Sequence, residues 1–392
     1  MIRDRCENRR FLTRRQAIAA GGTATLAAFA GCLSTNSDDN PSEEGSGSSD
    51  NDESDWSGDA TTVDTDHPYT TQPEIINLSE TDGTVTLDTV NCRHQLLDES
   101  VSGGPWELPE VWAWKVDHGD PSVPGPILRT TEGEDLEITY HNSHERPHTF
   151  HVHALGKSWM DDGTPTTTGK QVNPGEEQTY EVDTDVPGTH LYHCHYQTQT
   201  HLDLGMYGLV RVDPKEYDQP DKEFFLTIKE WDTRLSATTA GGDVSYSHRD
   251  RNPDAFTMKG RAAPYTLHPE DGSPLIVTEG DRVRIHIANT GYESHPIHLH
   301  SHRFEVVEKD GGVVPPAGRH KEDVTNISPA ERKTIEFVAD ADPGLYPMHC
   351  HKVHHVMNED SYPGGMLTGI VYESAMQTEQ FDELMEMAGF DE

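Results

Sequence analysis

The sequence runs to 392 residues and carries 69 acidic against 30 basic residues, a formal net charge of −39. That length supports two or three separate cores, and aromatic and β-branched residues persist through the last three quarters, which excludes a wholly disordered chain. A surface this acidic repels nucleic acid and anionic membranes, so no nucleic-acid partner is expected, and its self-repulsion is best screened in a high-salt habitat.

Residues 1–31 hold six Arg and two acidic residues. Thr13-Arg14-Arg15-Gln16-Ala17-Ile18, followed by the small apolar run Ala19 to Ala30, resembles a twin-arginine export signal. Phe29-Ala30-Gly31-Cys32 resembles a lipoprotein processing box. The two resemblances imply export by the twin-arginine route and an extracytoplasmic protein held at the membrane by a lipid on Cys32. The apolar run itself is too short to span a bilayer. Residues 32–65 are rich in Ser, Asp, Glu, Gly and Asn, cannot bury a core, and read as an acidic, disordered linker.

Beyond the linker the chain repeats itself. Thr131-Glu132-Gly133, the alternating Leu136, Ile138 and Tyr140, and Asn142 return 147 residues later as Thr278-Glu279-Gly280, Val283, Ile285, Ile287 and Asn289. Strict alternation of this kind predicts half-buried strands. His148-Thr149-Phe150-His151-Val152-His153 returns at the same offset as His295-Pro296-Ile297-His298-Leu299-His300. Pro187-Gly188 and His193-Cys194-His195 return as Pro343-Gly344 and His349-Cys350-His351, at an offset of 156. Two repeats of short strands and Gly/Pro-rich turns predict an all-β chain of two tandem Greek-key β-sandwich domains, at 66–215 and 222–375. Only the tail, 376–392, reads as helix, near Gln377 to Met387.

Of the five Cys, Cys6 lies in the leader, Cys32 stands at its end and Cys92 reads as a small buried hydrophobe, so no disulfide framework is expected. Cys194 and Cys350 each lie between two His. On an extended chain successive side chains point to opposite faces. Cys194 therefore faces away from His193 and His195, and His148 away from His151 and His153. One face gathers His148, Cys194, His201 and Met206, two imidazoles with a thiolate and a thioether, the ligand set of a blue copper site. The other gathers His151, His153, His193 and His195. The second repeat supplies His295, Cys350, His355 and a Met on one face, and His298, His300, His349 and His351 on the other. Twelve of the 24 His fall on these patterns with matching parity. Zinc competes for imidazole sites, but soft sulfur donors favour copper.

HxxHxH followed by HCH, His and GM resembles the copper-ligand signature of the two-domain multicopper oxidases, laccase-like enzymes of the cupredoxin family, over residues 80–373. The resemblance implies cupredoxin-like domains, and type 1 copper in one or both of them that passes electrons through the Cys-His link to a type 2/type 3 trinuclear cluster on eight His. It implies a small-molecule or metal-ion electron donor, phenol-like or ionic, and dioxygen as acceptor. Asp162, in Asp162-Gly163, resembles the family's proton-supplying carboxylate.

The sequence departs from the family pattern in places. Type 1 ligands stand in both repeats, either of which could take in electrons, and His201 follows Cys194 by seven residues where five is usual. Met366 lies eleven residues beyond His355, leaving Met357 as an alternative axial ligand. His354 reads as exposed or as a neighbour of a ligand. Copper-containing nitrite reductases share the fold, but their pattern has Asp at the position of His151, no His at the position of His195 and no Cys-centred triplet in the second domain. A copper-binding electron-transfer protein needs only the Cys sites and leaves eight His without a purpose. Two-domain relatives form head-to-tail rings, so a homotrimer is expected, with each cluster shared between neighbouring copies.

Overall fold

In the computed structural model, residues 66–387 and 390 are described, apart from 102, 156–157 and 270–271. The export signal, Cys32 and the linker lie outside the described residues. The rest of the chain forms two β-sandwiches, as the repeat requires. In the first, a four-stranded sheet runs in the order Trp106–Val116, Thr84–Leu97, Leu136–His141 and Glu177–Val182. It faces a five-stranded sheet in the order Ile75–Asn77, Ile127–Thr131, Tyr207–Asp213, Gly188–His193 and His151–Val152. Leu136, Ile138 and Tyr140 turn inward while Glu137 is exposed, as alternation predicts. They join Trp114, Phe150 and Tyr192, whose rings meet edge-on or stacked at 5.2–6.2 Å.

The second sandwich repeats the plan. Its site-bearing sheet orders Leu275–Val277, Leu367–Tyr372, Leu345–Cys350, His295–Leu299 and Val324–Ile327. The opposing sheet is built on Ala255–Met258, Lys222–Trp231, Arg282–Asn289, Arg332–Val338 and Phe304–Lys309. Arg282–Asn289 departs from the expected half-burial: seven of its eight residues are buried. One face carries Val283, Ile285 and Ile287 into the sandwich core. On the other, His286 meets Thr189 Oγ1 of the first sandwich at 2.9 Å and Glu223 Oε1 at 2.9 Å.

The two halves share a third core that includes Leu96, Val111, Leu209, Phe225, Trp231 and Ala288. Arg211, fully buried in the first half, donates two hydrogen bonds to the Glu308 carboxylate of the second, at 2.7 and 3.2 Å. Gly260 closes against the first half with φ +82°, where a Cβ would lie 2.4 Å from the Val123 carbonyl oxygen. The tail forms the expected helix, Glu379–Met387. Three short helices were not expected: Pro165–Thr168, Thr198–His201 and Thr233–Thr239. Each spans two turns or fewer, too short to print a helical period on the sequence. Among the described residues no helix is long and apolar enough to cross a membrane.

Candidate metal centres

Each sandwich carries a histidine-rich strand end, and Asn142 and Asn289 brace them in the same way. The Asn142 amide donates to the carbonyls of Arg146 and Val172, and the Asn289 amide to those of Glu293 and Ile327. The turn before each HxxHxH run is thereby fixed. The strands holding the triplets end at His193 in the first half and at Cys350 in the second, one residue apart in register. The expected parity nevertheless holds on both.

The first thiolate site brings His148, Cys194 and His201 together, all buried. Cys194 Sγ lies 3.2 Å from His201 Nδ1 and 3.7 Å from His148 Nδ1, and the two Nδ1 atoms are 2.9 Å apart. Met206 is fully buried beside them. Its backbone N–H donates to the His201 carbonyl and its carbonyl accepts from Cys194 N–H. His201 reaches the site because Thr198–His201 coils the longer connection into one helical turn. Trp112 covers both imidazoles edge-on, 4.8 Å from the His201 ring and 5.7 Å from that of His148.

The second site matches it. Cys350 Sγ lies 3.7 Å from the Nδ1 atoms of His295 and His355, which are 3.1 Å apart. Met366, fully buried, repeats the backbone pattern of Met206: its N–H donates to the His355 carbonyl and its carbonyl accepts from Cys350 N–H. Met357 stands only partly buried at the end of the turn Val353–Val356, so position in the fold favours Met366. Phe256 stacks on His355 at 4.0 Å, and exposed His354 packs edge-on against the same ring.

The imidazoles of the opposite faces also assemble. His151, His153, His193 and His195 form one quartet with ring centroids 5.0–5.4 Å apart. His298, His300, His349 and His351 form the other, at 4.8–5.8 Å. His153 and His193 approach at 3.0 Å between Nε2 atoms, His300 and His349 at 3.1 Å. Both quartets reach the surface: His351 is exposed and the other rings are half-buried, except His193, which is buried. His151 Nδ1 donates to the backbone carbonyl of Asp162 at 2.6 Å, and His298 Nδ1 to that of Asp323 at 2.8 Å. The Asp162 carboxylate accepts from Thr164 Oγ1 at 2.6 Å and stays within 3.6 Å of His151 Nδ1. Gly163 makes this approach possible: at φ +71°, a Cβ there would lie 1.9 Å from the Phe150 carbonyl oxygen.

Electrostatics fit these donors to a soft cation. Burial and neighbouring imidazoles hold His148 well below the usual histidine range, and burial takes His201 down to about 3. Burial with the His295 ring beside it takes His355 to about 3 as well. All three keep lone pairs free at neutral pH. Burial pushes the Cys194 thiol up to about 12 and Cys350 to about 11. Thiols so placed ionise only when a cation compensates their charge, which a metal held by two imidazoles supplies.

Sequence reasoning missed the groups behind the ligands. His144 backs His148, and Glu230 backs His295. Burial alone would raise the Glu230 carboxyl, but the hydrogen bond from His295 and the Lys229 and Arg251 cations hold it at about 2. The charged pair Lys229-Glu230 inside the apolar run Phe224 to Trp231 was a visible signal, since a central strand rarely carries charge on both faces.

The multicopper oxidase profiles match residues 110–217 and 244–361. The chain is 26% identical over 259 residues to the probable nitrite reductase-hydroxylamine oxidoreductase fusion protein of Kuenenia stuttgartiensis, covering 64% of this chain and 28% of that one. It is 28% identical over 239 residues to Laccase-20 of Oryza sativa subsp. japonica, covering 58% of this chain and 40% of that one. The chain therefore spans well under half the length of either curated relative. In structure it resembles the blue copper oxidase of Nitrosomonas europaea, with a TM-score of 0.64 and 27% identity over 74% of this chain and 86% of that one.

Proposed function

The chain belongs to the multicopper oxidase family, its cofactor is copper, and from that premise we propose that it couples one-electron oxidation of a donor to four-electron reduction of dioxygen to water. The carrying observation is that each buried thiolate site joins an open imidazole quartet through one His-Cys-His triplet. Copper held by His148, Cys194 and His201, by His295, Cys350 and His355, and by the two imidazole quartets would supply one-electron redox chemistry.

The chain's own residues do the rest. Trp112 and Phe256 exclude water from the thiolate sites, so the ligands keep one arrangement in both oxidation states. Cys194 and Cys350 connect each site covalently to the flanking imidazoles, which gives electrons a short path out. Asp162 orients His151 through its carbonyl, and its carboxylate, partly open to solvent, can carry protons toward the site where water forms. The donor is a phenol-like molecule or a metal ion.

Each sandwich carries one quartet that reaches its surface, His193 lying buried beneath the first. In our reading a head-to-tail homotrimer completes them, each trinuclear cluster taking one quartet from each of two neighbouring copies. Light scattering on the copper-loaded chain should give a trimer, and an active monomer would defeat that arrangement.

Nitrite reduction is the second reading, favoured by the Kuenenia relative. His151 and His195, both within the first quartet, argue against it, because the reductase pattern has neither. An oxygen electrode decides between them. The oxidase reading expects about four one-electron donor equivalents consumed per dioxygen, without peroxide, and no donor oxidation when nitrite replaces dioxygen under argon. Turnover with nitrite and none with dioxygen would reverse the assignment.

A further inference from the structure

The two thiolate sites share ligand types and both are buried, so differences in what surrounds those ligands bear directly on how the sites compare. Two differences stand out, and both act in the same direction. The first concerns the imidazoles. With Nδ1 facing the metal, each ring must carry its proton on Nε2. His148 Nε2 donates to His144 Nδ1 at 2.8 Å, His144 Nε2 donates to the Asn91 side-chain oxygen at 2.6 Å, and Asn91 Nδ2 donates to the Glu145 carboxylate at 3.3 Å, so two neutral groups separate the ligand from a charge. The Glu145 carboxylate approaches His144 at 3.5 Å, but it is exposed and one ring removed from the ligand. His295 Nε2 donates instead to Oε2 of Glu230 at 3.0 Å, a carboxylate with no solvent exposure. Glu293 lies 3.7 Å from His355 Nε2, but the same oxygen pairs with Lys352 Nζ at 2.6 Å, so its charge is offset and Glu230 is the carboxylate that distinguishes this site.

The second difference concerns sulfur. Cys194 Sγ accepts a hydrogen bond from Thr149 N–H at 3.4 Å. The repeat places Pro296 at the corresponding position, and proline has no N–H to offer. A carboxylate acceptor makes an imidazole a stronger donor and favours oxidised copper, whereas a hydrogen bond to sulfur weakens thiolate donation and favours reduced copper. Arg251 offsets part of the Glu230 charge, but it pairs with Oε1 at 3.1 Å and leaves Oε2 to His295. Burial favours reduced copper at both sites, since Cys194 and Cys350 are each out of contact with solvent.

We infer that the two thiolate sites form a graded pair in which Glu230 and Pro296 hold the second site at the lower reduction potential. This rests on the copper-thiolate reading above. An electron taken from a donor at the second site passes to the first, one copper being oxidised as the other is reduced. A buried bridge connects them. Arg251 pairs with both Glu230 and Asp203, Lys229 donates to Asp203 at 2.7 Å, and Asp203 lies two residues beyond His201.

The test is a redox titration of the copper-loaded full chain under argon, followed at the visible copper-thiolate band. Cys194→Ala leaves only the second site and Cys350→Ala only the first. The second should favour oxidised copper at least tenfold more than the first, 59 mV for a one-electron couple. Glu230→Gln and Pro296→Thr should each raise the second potential and leave the first unmoved. Equal potentials, a reversed order, or no shift in either variant would overturn the gradient while leaving the oxidase reading intact. Absence of the band from one Cys variant alone would overturn the pair and leave the oxidase reading standing, absence of any band from the copper-loaded unaltered protein would overturn both, and the two Cys variants settle the order even if Glu230→Gln fails to fold.

Discussion

Single residues fix the site through atoms that have no redox role. Gly163 has its Cα packed against the Phe150 carbonyl so that Asp162 can hold His151. Gly163→Ala should cost at least about 2 kcal/mol from the left-handed backbone and the clash, and should lower copper bound at the quartet more than at the thiolate sites. Calorimetry and metal analysis check this; a variant with unchanged melting and copper content would show that the approach is not needed. Buried histidines make a second prediction, for the copper-free protein. His193 and His201 are each held at about 3, as is His355, against an unfolded value near 6.5. Below that value the unfolded chain binds protons that the folded chain refuses, so stability is full above about pH 6.5 and falls as pH drops toward 3, by up to ~1.4 kcal/mol per unit for each group. Melting temperatures of the stripped protein between pH 7 and 5 should decline, and a flat profile would contradict the burial argument.

The elements divide into those the sequence prints and those it does not. Period-two alternation marked Leu136–His141, and the parity of HxxHxH and HCH separated the His that gather at the thiols from those that gather in the quartets. Alternation could not reveal that Arg282–Asn289 is buried on both faces, because the second covering layer comes from the other repeat. Nor could it reveal His144 or Glu230, which meet their ligands only through strand pairing and packing. The eleven-residue spacing from His355 to Met366 left the axial ligand open in the sequence. In the fold, Asn358 receives Gly365 N–H at 2.8 Å and donates to the Ala263 carbonyl at 2.6 Å, and this turn brings the chain back beside His355 and Cys350 at Met366. Met366→Leu should therefore shift the copper-thiolate band of the Cys194→Ala protein, and Met357→Leu should leave it in place. The reverse result would move the axial role to Met357.

At the scale of the molecule, the two halves behave as one body because charge and apolar surface both cross between them. Arg211 and Glu308 pair across the boundary out of water, and removing one partner strands the other. Arg211→Ala should destabilise by about 3–5 kcal/mol, and denaturant titration should show the loss as a shifted transition; a shift below 1 kcal/mol would mean that the shared core alone joins the halves. The repeat made the duplicated architecture legible, whereas this interface was not, since its residues belong to no motif and lie 97 positions apart. The proposed leader and the proposed ring of three copies belong to the whole protein and rest on the sequence and on family resemblance. The measurement that bears most directly on the whole account is copper per chain in the purified, copper-loaded protein. Two thiolate sites and one trinuclear cluster per chain predict about five; about two would mean that the imidazole quartets do not hold a trinuclear cluster, and the oxidase assignment would fall.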